Sequence, residues 1–284
     1  MIVVTGATGQ LGKLVVDGLL EKVPANEVAV AVRNPEKAAD LAARGVEVRV
    51  ADYTDPASLS AAFAGADKVL LSSSSEVGPR LAQHTAAVTA AKENNVGHLV
   101  YTSILHADTS KLALAPEHKA TEQVIRDSGV PFTLLRNGWY TENYGPTIAQ
   151  AIEQGSFAGS AGEGALSPAT RREYADAAVA VLTTEGHEGA VYELAGDEAW
   201  SYSDLAAELT KTAGKPVVYQ DIPADQHREL LIGFGVPEVY AGVLVDSDRG
   251  IAEGELTNTS GDLSKLIGRP TTSLPDAVAA IVKG

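Results

Sequence analysis

A doubly wound, parallel α/β sheet with a smaller α/β region after it is the fold class this sequence predicts, and two observations predict it. Short apolar runs alternate with helical patterns through the first half of the chain, which is the sign of βαβ units around a parallel sheet. A turn with glycines at three-residue spacing follows the first apolar run and opens the first helical pattern, the place where such sheets bring backbone close to a ligand.

Taken in order, strands are expected at Ile2 to Thr5, Glu27 to Val32, Val46 to Ala51, Lys68 to Ser72, Leu99 to Ser103 and Phe132 to Arg136, with five helical segments between them. In the first helix Leu11, Leu14, Val15, Leu19 and Leu20 recur at spacings of three and four, giving one apolar face to dock on the sheet. Pro35, Pro56 and Pro79 stand at or near helix starts, where a missing N–H costs nothing. After Asn137 the pattern loosens, with Gly155, Gly159, Gly162, Gly164 and Pro168 in one loop-like stretch before a helix around Tyr174 to Leu182. A strand near Val191 to Leu194, a helix N-capped by Ser203 and running through Leu209, and a strand at Val217 to Tyr219 follow. The expected organisation is a first domain over residues 1–140, with residues 170–200 returning to its sheet, and a smaller lid region made of residues 141–169 and 201–284.

Composition narrows the function classes. The 284 residues are 45% hydrophobic and 21% charged, an ordinary globular balance with ample core. Lys and Arg number 22 against 37 Asp and Glu, a net charge of −15, which argues against a nucleic-acid partner because such affinity comes from cations neutralising phosphates. The absence of cysteine excludes disulfides and thiolate chemistry. No basic leader or long apolar run is seen, so no membrane association is expected and the cytoplasm is the expected address. The six histidines show no metal-ligand spacing, and no metal is expected. Ala158-Gly159-Ser160-Ala161-Gly162 misses a nucleophile elbow because Ala158 occupies the first glycine position.

Gly6-Ala7-Thr8-Gly9-Gln10-Leu11-Gly12 is the motif that carries chemistry. Without side chains the turn can be tight, the backbone can approach a pyrophosphate and the helix can pack against the strand, while free N–H groups at the helix start face the phosphate charge. This is the Rossmann arrangement. It is not a triphosphatase loop, since five residues separate Gly6 from Gly12 and Leu14 follows Lys13. Arg33 ends the second strand, where an NAD-preferring site carries an acid for the ribose; a basic side chain there suits a 2′-phosphate, so NADP(H) is the expected cofactor. The same sheet edge offers Asp52 and Tyr53, the run Ser72, Ser73, Ser74 and Ser75, then Thr102 with Ser103, and finally Asn137, all where ligands of open α/β sheets lie.

With Arg33, the serine run, Tyr101-Thr102-Ser103, His118-Lys119-Ala120-Thr121-Glu122 and Leu135-Arg136-Asn137-Gly138-Trp139-Tyr140-Thr141-Glu142-Asn143, this turn resembles the NmrA-like branch of atypical short-chain dehydrogenases. Within it the pattern is similar to the quinone oxidoreductase type 2 and triphenylmethane reductase group. The resemblance implies a hydride passed from NADPH to a quinone-like or conjugated small molecule. It also implies that Asn137, Gly138, Trp139, Tyr140, Thr141 and Glu142 border the nicotinamide. Trp139, Tyr140 and Tyr144 are, from their side chains alone, either an aromatic wall for a planar acceptor or packing residues. The usual Tyr-x-x-x-Lys pair is missing, since Leu105 follows Tyr101 at that spacing. At the corresponding helix His118 is a candidate proton donor, Asn137 a candidate catalytic residue and Lys119 a candidate ribose ligand. Two functions follow: an NAD(P)H-dependent oxidoreductase, monomeric or homodimeric, or an NmrA-like redox sensor that binds dinucleotide and acts through a protein partner.

Overall fold

Ile2, Val3, Val4 and Thr5 are all buried and form β1 (Ile2–Thr5), with Ile2 and Val4 in the core on one face of the sheet and Val3 in the core on the other. Parallel strands covered on both faces need such unbroken apolar runs. The computed structural model describes residues 1–74, 76 and 78–283. The chain then alternates: α1 (Gln10–Leu20), β2 (Val28–Val32), α2 (Ala39–Ala43), β3 (Glu47–Val50), α3 (Pro56–Phe63), β4 (Lys68–Leu71), α4 (Arg80–Glu93), β5 (His98–Ile104), α5 (Ala115–Ser128) and β6 (Phe132–Asn137). A second run follows, with α6 (Gly145–Gln154), β7 (Ser156–Gly159), β8 (Ala165–Leu166), α7 (Arg171–Thr183) and β9 (Val191–Leu194). The chain ends with β10 (Trp200–Ser201), α8 (Tyr202–Ala213), β11 (Val218–Asp221), α9 (Ala224–Gly233), α10 (Glu238–Ala252), α11 (Asp262–Ile267) and α12 (Leu274–Lys283).

Seven strands make one sheet in the order β3-β2-β1-β4-β5-β6-β9, and every pair in it is parallel. The order reverses between β1 and β4, which puts the carboxyl ends of those strands at the crevice where ligands bind. One core layer holds α1, α2 and α7 against the sheet; the opposite layer holds α3, α4 and α5. A third cluster, built from Tyr144, Ile148, Phe157, Trp200, Tyr202 and Leu209 among others, forms the smaller region. Its two small sheets pair β10 with β8 and β11 with β7.

Two local expectations are corrected. The N-cap of α8 is Ser201, whose side chain accepts from the Asp204 amide while Asp204 accepts from the Ser201 amide. Only Ser201 has an acid three residues on, so Ser203 falls inside the first turn. The glycine-rich stretch after α6 also contains strand, since Ser156–Gly159 pairs with Val218–Asp221.

Candidate active site

The glycines of the first turn have separate tasks. Gly6 sits at φ +63°, and a Cβ there would approach the Ser72 Cβ to 3.1 Å; the left-handed backbone is open to glycine at little cost. The Gly9 amide donates to the Gly6 carbonyl at 2.9 Å and closes the turn. A Cβ on Gly12 would stand 2.3 Å from the Gly6 oxygen, so only glycine lets α1 begin this close to the turn. Among the described residues no side chain caps α1, which leaves its first amides to an anion. Ala7 is buried beneath the turn, whereas Thr8, Gly9 and Gln10 are exposed along its lip and Leu11 is half-buried.

Thr5, which sequence reading passed over, organises the neighbouring edge. Its hydroxyl donates to the Leu70 carbonyl at 3.1 Å and accepts from the Tyr53 hydroxyl at 2.8 Å and the Ser72 amide at 3.0 Å. Its one sequence signal is a hydroxyl directly before Gly6. Burial pushes the Tyr53 phenol up to about 12, against the pull of the Thr5 hydrogen bond and of Arg33 nearby, so Tyr53 stays a neutral wall. Asp52 is held below its ordinary value by the Thr54 amide and hydroxyl, burial opposing and Arg33 adding to the effect. Arg33 is itself exposed and meets Glu76 at 3.3 Å. Farther along, the Ser73 amide donates to the Thr102 hydroxyl at 2.8 Å and the Ser74 amide to His84 Nε2 at 3.0 Å. Ser75 lies outside the described residues.

Beside β5 several expected groups turn to other partners. His118 is 6% exposed, and its Nδ1 pairs with the Tyr101 hydroxyl at 2.8 Å. Burial, with Arg80 and His84 nearby, pushes its pKa down to about 3, so at neutral pH this imidazole has no extra proton to give; His118 as proton donor is thereby corrected. Lys119 is exposed and donates to the Asp108 carbonyl at 3.0 Å, bound to the β5–α5 connection. Ser103 donates at 2.6 Å to buried Glu122, which holds Arg136 through contacts of 2.9 and 2.7 Å. The Ser103 hydroxyl proton is therefore committed to the internal ion pair. None of Arg80, Glu117 and Glu193 was singled out by sequence, yet Arg80 pairs with Glu117 at 3.1 Å and Glu193 with Arg136 at 2.7 Å.

The segment leaving β6 is held tightly. The Gly138 amide donates to the Leu194 carbonyl at 2.8 Å, and a Cβ at Gly138 would meet that carbonyl and the Tyr174 hydroxyl at 3.1 Å. Tyr140 packs edge-on against Tyr174 at 5.2 Å and beneath the Arg171 guanidinium at 4.9 Å. The Thr141 amide donates to the Ala169 carbonyl at 3.0 Å. Glu142 accepts the Arg171 amide at 2.9 Å at the start of α7, where a carboxylate complements the helix dipole. Asn137 is 5% exposed and donates to the Tyr140 hydroxyl at 3.4 Å; among the described residues neither its amide oxygen nor the buried indole nitrogen of Trp139 has a hydrogen-bond partner. Buried polar atoms left so are costly unless a ligand meets them.

Beyond Trp139 lies a cavity of about 80 Å³. Trp139, Tyr144, Phe157 and Tyr202 give it aromatic walls, Leu231 and Leu244 an apolar roof, and His227 and Asp248 a polar end. Sequence reading reached Trp139 and Tyr144; the α8, α9 and α10 residues carried no motif. No group of three or more His, Cys, Asp or Glu poised for a metal occurs among the described residues.

The glycine cradle, the free helix start and the orphaned Asn137 oxygen along one sheet edge fit a dinucleotide and define a Rossmann-type nucleotide-binding protein. The chain belongs to the NAD(P)H-binding family, whose profile matches residues 6–185. It is 52% identical over 279 residues to quinone oxidoreductase 2 of Escherichia coli (strain K12), covering 98% of each chain. An Escherichia coli NADPH-dependent quinone oxidoreductase complexed with NADPH superposes with a TM-score of 0.97 at 51% identity, over 99% of this chain and 100% of that one. Triphenylmethane reductase of Citrobacter sp. complexed with NADP(H) gives 0.96 at 42% identity, over 99% and 100%.

Proposed function

We propose that this protein is an NADPH-dependent oxidoreductase that reduces a quinone-like, conjugated small molecule. One observation carries the reading: Trp139 is shared, following Asn137 on the segment beside the cradle edge and forming a wall of the aromatic cavity. A planar acceptor in that cavity would lie against the end of the cofactor site. The 52% identity to a quinone oxidoreductase over nearly the whole chain supports the same reading.

The cofactor, when bound, supplies the hydride. The residues supply place and orientation: Gly6 to Gly12 for the pyrophosphate, Thr5, Tyr53 and Ser72 for the adenosine side, Arg33 for a 2′-phosphate, and Asn137 for the nicotinamide amide. Arg33 is exposed, and among the described residues its ion-pair partner is Glu76 at 3.3 Å, a surface contact that a phosphate could displace from the guanidinium. Catalysis then rests on holding donor and acceptor in contact. The protein acts as a monomer or homodimer on a freely diffusing acceptor, and among the described residues no helix is long and apolar enough to cross a membrane. The sensor reading requires tight NADPH binding without turnover, and the aromatic cavity is a feature it leaves without a purpose. Quinone-dependent NADPH oxidation beside a direct NADPH titration tests the choice: turnover supports the reductase, and binding with no turnover on any quinone supports the sensor.

A further inference from the structure

The polar end of the acceptor cavity is a cluster that the cofactor site does not use. Asp248 of α10 is 4% exposed, and among the described residues its one ion-pair partner is His227 of α9, with Nδ1 at 3.2 Å from Oδ2. The same carboxylate accepts from the Tyr202 hydroxyl at 2.6 Å, the Ser160 amide at 2.7 Å and the Ser160 hydroxyl at 3.3 Å. His227 is 7% exposed, and it lines the cavity together with Asp248, Tyr144 and Trp139.

We propose that His227, oriented by Asp248, gives the reduced acceptor its proton; this rests on the quinone-reductase reading above. Addition of a hydride to a quinone leaves a hydroquinone monoanion. His227, as the imidazolium with its Nδ1–H held by Asp248, then loses its Nε2–H proton to the anionic oxygen; the O–H bond forms, neutral imidazole is left, and solvent returns a proton to Nε2. One quinone, one NADPH and one proton give one hydroquinone and one NADP⁺.

The geometry favours His227 over its neighbours. Asp248 and Ser160 both engage Nδ1, Ser160 at 3.0 Å, which leaves Nε2 as the ring nitrogen for the cavity; a carboxylate on Nδ1 fixes tautomer and ring orientation. Burial, with Asp248 close by, raises both the Tyr144 and Tyr202 phenols above their ordinary value, so they hold their protons too firmly to serve. Ser160 is no nucleophile, because a serine relay needs the serine and the carboxylate on opposite nitrogens. Among the described residues the titratable groups tied to the pair are Tyr202 of α8, Tyr144, and Tyr219 with Asp221 of β11; α9 itself also carries Asp225 and Arg228, the latter paired with Glu238 at 2.7 Å, and α10 carries Asp246 and Arg249, paired at 2.9 Å.

The test is His227→Gln in the full-length protein, with Asp248→Asn as a second variant. Quinone turnover should fall by about 100-fold in kcat, the low end for loss of a general acid, with the NADPH Kd unchanged. The wild-type pH limb and solvent deuterium isotope effect on kcat should vanish in His227→Gln. Asp248→Asn, at a positioning residue, should displace the limb and lower kcat with little change in KM. As a readout apart from turnover, 4-nitrophenolate, a stand-in for the hydroquinone anion, should bind the NADP⁺-loaded wild type about tenfold tighter than His227→Gln, about 1.4 kcal/mol. Turnover in His227→Gln with wild-type pH profile, isotope effect and nitrophenolate affinity overturns the proposal. A wild type that binds NADPH and reduces no quinone overturns the functional reading beneath it.

Discussion

Adding one methyl group at Gly12 probes the cofactor cradle where it is tightest. A Cβ there would lie 2.3 Å from the Gly6 oxygen, 2.8 Å from the Gly6 carbonyl carbon and 2.9 Å from the Ala7 Cα, whereas ordinary contact begins at 3.4 Å. All three are backbone atoms, so no side chain can swing aside and α1 must part from the turn by about 1 Å. Overpacking of this kind costs about 1–3 kcal/mol, and alanine's better helix propensity returns about 1 kcal/mol of it. The same displacement pulls the first α1 amides from a bound pyrophosphate, and a hydrogen bond to a charged group is worth about 1.5–3 kcal/mol. Gly12→Ala should therefore weaken NADPH by about 10- to 100-fold while lowering Tm by only a few degrees. Gly18→Ala is the control: its Cβ would meet Val179 Cγ2 at 2.9 Å on the α7 side, so it should lower Tm and leave NADPH affinity alone. Fluorescence titration and thermal melting read both quantities. Gly12→Ala binding NADPH within a factor of two of wild type would refute the cradle.

Other outcomes follow from the same geometry. Arg33→Glu should weaken NADPH by about tenfold or more and NADH little, since it removes one charge-assisted contact; equal losses in parallel titrations would remove the 2′-phosphate assignment. Glu122→Ala strands buried Arg136, leaving it Glu193 at 2.7 Å and partly exposed Asp108 at 3.0 Å, and should cost about 3 kcal/mol in urea unfolding. Acid should destabilise the fold through His84 and His118. Burial first, then the Arg80 charge, pushes each to about 3, below the value near 6.5 of an unfolded chain. Their neutral forms thus contribute stability that is present above about pH 6.5 and lost as pH falls from there toward 3. The unfolding free energy should drop by about 3 kcal/mol between pH 6.5 and 5, and His118→Gln should remove about half of that slope; a flat profile would contradict it.

The sheet and its ligand edge were legible because they depend on local pattern. A strand such as Val28–Val32, buried at every position, can only be an apolar run, and Gly6 and Gly12 sit where no side chain fits. Thr102 and Ser103 were legible as polar groups at the edge, but their partners were not: Ser103 meets Glu122, 19 residues away. His118 was read as a candidate proton donor at a helix start, and its burial against Tyr101 of β5, with Arg80 and His84 of α4 nearby, depends on tertiary packing. The acceptor cavity was least legible, because Phe157, Tyr202, His227 and Asp248 come from four separate elements, β7, α8, α9 and α10, and their meeting is a property of tertiary structure.

The reductase function is tested by the steady-state oxidation of NADPH with a panel of benzoquinones and naphthoquinones, followed by loss of reduced-nicotinamide absorbance. Quinone-dependent turnover that saturates in both substrates and is faster with NADPH than with NADH is expected. Saturable, tight NADPH binding with no oxidation above the protein-free rate on any quinone would contradict it.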